Sequence, residues 1–261
     1  MKITVDIGNS LISIGFFTDD ELKETLTINT NLERSYDLYK ADLKALIRDK
    51  NIPSEKVTHV IIASVVPQLT HLFEDLFLEI YNVEPLILDA GVKTGLALKI
   101  DNPKELGSDL VAVSVGALSL LKPPFLIVDL GTANKFLYID EEGRLAGAVF
   151  TPGLLVSLEA LVDKTAQLPS ISMQKPRFIL GRNTKDSMNS GVIYGNAALV
   201  NELSKMIEKE VNTNLKKVLT GGNAVYIKDE LDKDEFLYIE HLIHFGLLII
   251  LNKNCEVKKN G

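Results

Sequence analysis

Two short stretches of the chain repeat one turn, in which an acidic residue is followed by an aliphatic residue and a glycine. Ile3–Ser10 has the sequence Ile-Thr-Val-Asp-Ile-Gly-Asn-Ser, and Leu126–Ala133 has Leu-Ile-Val-Asp-Leu-Gly-Thr-Ala. Glycine and small polar residues at a hairpin tip let a phosphate approach backbone N–H groups, and Asp6 or Asp129 can hold a cation that neutralises phosphate charge. A hairpin without a ligand favours the same residues, but the recurrence in both halves of the chain favours two phosphate-binding turns.

A third turn, Thr220-Gly221-Gly222, follows a short apolar run. Its two glycines let a ligand ring or sugar lie against the backbone, although a strand-to-helix connection has the same composition. The sequence has no G-x-x-x-x-G-K-[ST], and no two of its 17 glycines are spaced G-x-G, so it has neither a P-loop nor a Rossmann fingerprint. The three turns together are typical of the actin, sugar kinase and Hsp70 architecture, in which two ribonuclease-H-like domains clamp ATP.

The predicted strands and helices around these turns recur in one order in both halves of the chain. Apolar patterning and turn residues predict strands at 2–7, 11–17, 22–28, 57–66, 85–88, 125–130, 134–139, 144–150 and 218–220. Helical spacing predicts helices at 36–50, 68–81, 110–121, after Gly153, at 184–207 and at 240–252. This order predicts an α/β fold with mixed β-sheets flanked by helices. We expect two ribonuclease-H-like domains, at 1–115 and 116–261.

The composition excludes several classes of protein. A formal net charge of −7 argues against a nucleic-acid partner bound by a basic face, and no apolar stretch approaches the length of a membrane span. Cys255 is the only cysteine, and the charged N-terminus is unlike a signal peptide, so we expect a reducing, cytoplasmic location. His241 and His244 lie at the start of a predicted helix with no third metal ligand nearby, which favours a surface pair.

Several motifs, in register along almost the whole chain, resemble those of type III pantothenate kinases. Asp6–Ser10 is similar to the family's first phosphate motif, D-x-G-N-T/S, and Asp129–Ala133 resembles its second. Asn102–Asp109 is similar to the substrate motif N-P-x-x-x-G-A-D-R. The central helix motif, the G-x-N-T…M-x-S-G-x-x-x-G motif and the adenosine turn have counterparts at 151–169, 181–195 and 220–222.

The resemblance implies transfer of the ATP γ-phosphoryl group to the primary hydroxyl of pantothenate, the first step of coenzyme A biosynthesis. It implies ATP, Mg²⁺ and a monovalent cation, K⁺ or NH4⁺, as cofactors, and a homodimer in which Thr184 enters from the partner subunit. Asp109 would be the general base on the hydroxyl, although a carboxylate there can also cap the following helix. Asp129 would bind the monovalent cation, and Asp6 would lie near Mg²⁺ through the phosphates.

The remaining site residues are also implied by the resemblance. The residues that would contact ATP are Asp6, Ile7, Gly8, Asn9, Ser10, Leu11, Ile12, Ser13, Thr132, Gly221 and Gly222. The residues that would line the pantothenate pocket are Ile100, Gly107, Ser108, Asp109, Leu110 and Thr184.

Three departures from the family pattern fall around the substrate and the phosphates. Leu110 stands where the family has an arginine suited to a substrate carboxylate, and Ile100 stands where it has a tyrosine. Asn134 and Lys135 replace the usual continuation of the second phosphate motif. Two further hypotheses therefore stay open: a nucleotide-binding paralogue with little kinase activity and a regulatory role, and a kinase for another small hydroxyl compound.

Overall fold

The computed structural model describes residues 1–52 and 57–259. They form two compact units. Unit 1 comprises Met1–Leu96, Asp101–Leu120 and Ile243–Gly261, and unit 2 comprises Ala97–Ile100 and Leu121–Leu242. A single division between residues 115 and 116 therefore does not reproduce these units, because the chain crosses from one to the other more than once.

The strands and helices follow the predicted order. The strands are β1 (Lys2–Ile7), β2 (Leu11–Thr18), β3 (Glu21–Asn29), β4 (His59–Ser64), β5 (Leu86–Ile87), β6 (Ala97–Leu98), β7 (Phe125–Leu130), β8 (Ala133–Ile139), β9 (Arg144–Pro152), β10 (Lys216–Thr220) and β11 (Phe236–Tyr238). The α-helices are α1 (Tyr36–Asp49), α2 (Pro67–Tyr81), α3 (Ser108–Leu120), α4 (Leu154–Asp163), α5 (Thr184–Val211) and α6 (Leu242–Lys259). The predicted helices and the longer predicted strands are confirmed, whereas the short strands β6 and β11 were not predicted.

Unit 1 contains a mixed sheet with the strand order β3-β2-β1-β4-β5. β1, β2 and β3 pair antiparallel, and β4 and β5 continue the sheet parallel to β1. Alternate side chains of β1 point to opposite faces of the sheet. Ile3, Val5 and Ile7 lie in the core that contains the buried faces of α1 and α2, so this face is a continuous apolar layer.

On the opposite face of the same sheet, Ile61 and Ala63 of β4 belong to a second apolar cluster with residues of α3 and α6. Gly246 of α6 allows a close approach between these two helices. A Cβ built on it would lie 1.8 Å from the carbonyl oxygen of Ala112 in α3, a distance that no side chain can accept. The C-terminal helix is thus a structural part of unit 1.

Unit 2 repeats this arrangement, with the strand order β11-β10-β7-β8-β9-β6. β7, β8 and β9 pair antiparallel, and β10 and β11 continue parallel to β7. β7 to β11 therefore correspond one by one to β1 to β5, while β6 adds a parallel edge strand beside β9. Buried residues of α4 and α5 pack on this sheet. The prediction of mixed sheets flanked by helices is confirmed.

Candidate functional site

The first Asp-x-Gly turn connects β1 to β2. Gly8 donates its N–H to the carbonyl oxygen of Leu11 at 3.0 Å, which closes the hairpin. Thr30 holds the same turn from the end of β3: its hydroxyl donates to the carbonyl oxygen of Gly8 at 2.7 Å, and its N–H donates to that of Ser10 at 3.0 Å. The tip of the turn, Asn9 to Leu11, is exposed, so the backbone next to Asp6 is fixed but open to a ligand.

Next to the turn, the predicted ATP-contacting residues of the two strands are of two kinds. Ile7 and Ile12 pair across it and are completely buried, so only their backbone can serve a ligand. Asp6 pairs with Ser13 in the same register and is half-buried. The carboxylate and the hydroxyl therefore stand opposite each other on the sheet face opposite Ile7 and Ile12.

A histidine from the C-terminal helix α6 contacts both strands of the β1–β2 hairpin. The His244 imidazole is 1% exposed; its Nδ1 lies 2.8 Å from the Thr4 hydroxyl and its Nε2 lies 2.8 Å from the Ser13 hydroxyl. A Cβ built on Gly15 would lie 3.0 Å from the ring and 2.7 Å from the Thr4 hydroxyl, so Gly15 makes room for it. The predicted surface role is therefore wrong for His244, because its buried ring forms hydrogen bonds with two strand hydroxyls inside unit 1.

The N-terminus of α3 is fixed to the carboxyl end of β4 by one serine side chain. The Ser108 hydroxyl accepts a hydrogen bond from the N–H of Ser64 at 3.0 Å and donates one to the carbonyl oxygen of Ser64 at 3.1 Å. Ser64 in turn pairs with Ile7 at the end of β1. Since neighbouring strands lie about 4.8 Å apart, Ser108 brings the start of α3 to the strand end that carries the first Asp-x-Gly turn.

Asp109 follows Ser108 directly and is half-buried in the first turn of α3. Its carboxylate lies over the backbone of Gly107, where an added Cβ would be 2.4 Å from Oδ1. The helix begins at Ser108, so Asp109 is a helical residue and not the residue that precedes the helix. Leu110, which stands where the family has an arginine, is 5% exposed and therefore buried.

The second Asp-x-Gly turn and the Gly-Gly turn meet in unit 2. Asp129 pairs with Thr220 across β7 and β10, and the N–H of Asn223 donates to the carbonyl oxygen of Leu130 at 2.8 Å. Gly221 has φ +92°, and a Cβ on it would lie 2.4 Å from Oδ1 of Asp129 and 2.5 Å from the Leu130 carbonyl oxygen. Only glycine can satisfy both the backbone angle and this close approach.

A glycine in the β9–α4 connection, Gly153, packs closely against the second Asp-x-Gly turn. Gly153 donates its N–H to the carbonyl oxygen of Thr132 at 3.0 Å, and a Cβ on it would lie 2.2 Å from the carbonyl oxygen of Gly131. Thr132 and Gly222 are exposed beside this contact. The three predicted nucleotide-contacting residues of unit 2, Thr132, Gly221 and Gly222, therefore belong to two turns in direct contact.

Asn134 and Lys135, which depart from the family pattern, lie in β8 directly after this turn. Asn134 is fully buried, and its amide nitrogen lies 2.9 Å from Oδ1 of Asn196 and 3.1 Å from the carbonyl oxygen of Pro152. Lys135 stands opposite Asp129 in the β7–β8 hairpin, and its Nζ lies 2.9 Å from Oδ2 of Asp129. Sequence reasoning missed this ion pair, although counting outward from the hairpin turn would have paired the two residues.

Two predicted substrate residues lie elsewhere in unit 2. Thr184 is exposed at the first position of α5, where Asn183 caps the helix by accepting the N–H of Asp186 at 2.8 Å. Ile100 is half-buried in the segment that contains β6. Within unit 1, Gly107, Ser108 and Asp109 lie together at the start of α3.

A comparison with protein families identifies the family of this chain. A family model described as type III pantothenate kinase matches residues 2–206. The chain belongs to the type III pantothenate kinase family. The match begins at β1 and extends into α5, so it includes both Asp-x-Gly turns and Asp109.

Solved structures that resemble this pantothenate kinase family member share its fold at low identity. One is a conserved putative Baf family transcriptional activator from Campylobacter jejuni, with 18% identity and a TM-score of 0.61 over 97% of this chain and 99% of that one. Another is the activator of 2-hydroxyisocaproyl-CoA dehydratase from Clostridium difficile with bound ADPNP, with 12% identity and a TM-score of 0.53 over 100% and 97%. A putative 2-dehydro-3-deoxygalactonokinase from Sinorhizobium meliloti has 10% identity and a TM-score of 0.55 over 99% of both chains.

These similarities confirm the predicted resemblance and the predicted actin-like and sugar-kinase-like fold. Membership of this family supports a phosphotransferase, and the solved structures support the fold. Within the described ranges, no helix has the length and apolar character needed to cross a bilayer.

Proposed function

We propose that this protein phosphorylates pantothenate with ATP to give 4'-phosphopantothenate, the entry to coenzyme A biosynthesis. The observation that carries the proposal is the anchoring of α3. Ser108 binds the end of β4 beside the first Asp-x-Gly turn, and Asp109 follows it within a chain that belongs to the pantothenate kinase family. A carboxylate on a helix anchored beside such a turn suits phosphoryl transfer to a hydroxyl, in which a carboxylate orients the nucleophile.

The proposed roles follow the chemistry of each group. Asp109 accepts the proton of the pantothenate hydroxyl while that oxygen attacks the γ-phosphorus, and the bond from the γ-phosphorus to the bridging oxygen breaks to release ADP. The turn from Asp6 to Ser13 would surround the ATP phosphates, and Thr132, Gly221 and Gly222 would contact the nucleotide. Mg²⁺ prefers oxygen ligands, so the Asp6 carboxylate and the phosphate oxygens would hold it, and it would neutralise the charge of the transferred group.

The proposal extends to assembly and location. Thr184 would reach pantothenate from the partner subunit of a homodimer, for which its exposure at the start of α5 leaves it available. We place the reaction in the cytoplasm, where the family supplies coenzyme A synthesis.

The test is an assay of the purified protein with ATP, Mg²⁺, KCl and pantothenate, in which ADP and phosphopantothenate are both quantified. We expect pantothenate-dependent turnover that falls by about 10²- to 10⁴-fold in Asp109→Asn, because general base catalysis contributes that much. The matched control is Asp101→Asn, which removes an exposed carboxylate from the same segment and should leave turnover unchanged. Absence of pantothenate-dependent ADP formation would contradict the proposal.

A comparison of pantothenate with its alcohol analogue pantothenol tests the altered acceptor pocket. A carboxylate paired with arginine gains about 1.5–3 kcal/mol, so an intact family pocket would favour pantothenate by more than about tenfold. Because Leu110 is buried and apolar, we expect the two compounds to have kcat/KM values within about tenfold. Turnover of other small hydroxyl compounds without turnover of either would favour a kinase with a different acceptor.

A further inference from the structure

The second Asp-x-Gly turn already carries a cation. The Nζ of Lys135 lies 2.9 Å from Oδ2 of Asp129, and the two side chains are 19% and 11% exposed. The hairpin register places the two residues directly opposite each other. The contact is therefore built into the backbone pairing of β7 and β8 rather than formed by a surface side chain that can move away.

The first Asp-x-Gly turn has a different group at the corresponding position. Asp6 pairs with Ser13 in the β1–β2 hairpin, as Asp129 pairs with Lys135 in the β7–β8 hairpin. A hydroxyl oxygen can contribute to cation binding, whereas an ammonium is itself a cation and has no lone pair to offer. The two turns therefore differ at the residue that faces the carboxylate.

The donor set at Asp129 does not fit an added monovalent cation while Lys135 is present. A hard cation requires several oxygen ligands, but Oδ2 of Asp129 faces the Lys135 ammonium. Its Oδ1 lies where a Cβ on Gly221 would be only 2.4 Å away, so the Gly221 backbone covers that oxygen. A second positive charge at this carboxylate would be adjacent to the first and repelled by it.

We propose that the Lys135 ammonium is the resident monovalent cation of the second phosphate turn and that nucleotide binding in this chain needs no added K⁺ or NH4⁺. A lysine ammonium is a compact point charge on a flexible stem, close in charge and chemistry to NH4⁺. Its effect on turnover rests on the proposed kinase function, but its effects on nucleotide binding and thermal stability do not.

The test compares KCl, NH4Cl and tetramethylammonium chloride at equal ionic strength, with ADP binding by calorimetry and thermal unfolding as readouts. For the wild-type protein we expect ADP affinity and the unfolding midpoint to be the same in all three salts. For Lys135→Met we expect ADP affinity in tetramethylammonium to fall by about tenfold or more, as for loss of one preorganised charge. K⁺ and NH4⁺ should restore that affinity and raise the unfolding midpoint, whereas tetramethylammonium is too large to enter.

Three variants separate charge from structure. Lys135→Arg keeps a cation and should remain independent of K⁺. The double variant Asp129→Asn with Lys135→Met leaves no buried carboxylate unpaired, so it should fold and show no response to K⁺. Lys99→Met removes a lysine 3.9 Å from a different carboxylate, that of Asp140, and is the matched control, which should behave as wild type.

Dependence of wild-type ADP affinity on K⁺ would overturn the proposal. A folded Lys135→Met protein that keeps its ADP affinity in tetramethylammonium would also overturn the proposal. So would a folded Lys135→Met protein whose ADP affinity falls and is not restored by K⁺ or NH4⁺. If Lys135→Met does not fold, two other results test the proposal. Wild-type ADP affinity should be the same in the three salts, and the double variant should fold and show no response to K⁺. Failure of pantothenate turnover with the expected ADP and unfolding results would reject the kinase function and leave this inference standing.

Discussion

Gly107→Ala should move the Asp109 carboxylate while leaving the fold of unit 1 almost intact. A Cβ at this position would lie 2.4 Å from Oδ1 of Asp109, and its next neighbour, a Val65 methyl group, is already at an ordinary 3.4 Å. The clash is therefore with the end of a flexible side chain and not with backbone. Only the Asp109 side chain has to yield.

The size of the effect follows from the required displacement. Ordinary contact begins at 3.4 Å, so the carboxylate must retreat by about 1 Å. A misplacement of about 1 Å at a reacting group can lower the rate about 10²-fold. The cost in folding free energy should stay below about 1 kcal/mol, because glycine and alanine differ by no more than that before a helix.

The assay measures kcat and KM for both substrates together with urea unfolding. We expect kcat to fall about 10²-fold, with the KM for ATP unchanged. In the Asp109→Asn background the same substitution should have little further effect, because the group it displaces no longer acts as a base. Gly147→Ala, which meets no atom within 4 Å, is the control. A kcat within about threefold of wild type, or a full additional loss in the Asp109→Asn background, would show that Gly107 does not position the Asp109 carboxylate.

Three further substitutions test the fold of unit 2. Gly221→Ala should cost more than about 2 kcal/mol of unfolding free energy by urea titration, because the residue has φ +92° and its Cβ would meet backbone atoms of Leu130 within 2.6 Å; an unchanged midpoint would contradict this geometry. Gly191→Ala on the exposed face of α5 meets nothing within 4 Å and should stabilise the protein by about 0.4–1 kcal/mol in the same titration, whereas a loss would indicate that this face is covered. Burial raises the pKa of Asp140, but hydrogen bonds from the Arg144 side chain and backbone outweigh burial and hold that pKa below its ordinary value. The stability from this contact is therefore present above the unfolded-state pKa of 3.8 and is lost as the pH falls through the lower folded-state pKa. Asp140→Asn should be less stable than wild type near pH 7 and lose less stability on acidification to about pH 3; parallel pH profiles would argue against it.

The sequence predicted the sheets well because their strands are long apolar runs bounded by glycine and polar turns. β1, β2, β7 and β8 each have at least six residues in extended conformation. β6 and β11 have only two and three residues, too few for alternation to appear. Their pairing at the sheet edges depends on tertiary contacts.

The candidate site was only partly predictable for a related reason. The Asp-x-Gly turns and Asp109 belong to local motifs, which a sequence displays directly. The hydrogen bonds of His244 to Thr4 and Ser13 join residues from opposite ends of the chain, and no local pattern indicates such a partner. The contact between Lys135 and Asp129 is different, since it follows from hairpin register and was available from the sequence.

The position of α6 in unit 1 affects the order in which the two units can fold during translation. His244, which supports the first Asp-x-Gly hairpin, and Gly246, which packs closely against α3, both belong to the segment from residue 243 onward. During translation the strands of unit 1 emerge first, yet this unit lacks one of its layers until that segment has left the ribosome. Unit 2 includes no residue beyond 242, so we expect it to complete its fold earlier. We therefore expect the usual N-terminal-first order of folding to be reversed for this chain, with the first Asp-x-Gly hairpin lacking the hydrogen bonds of His244 until the last helix has been synthesised.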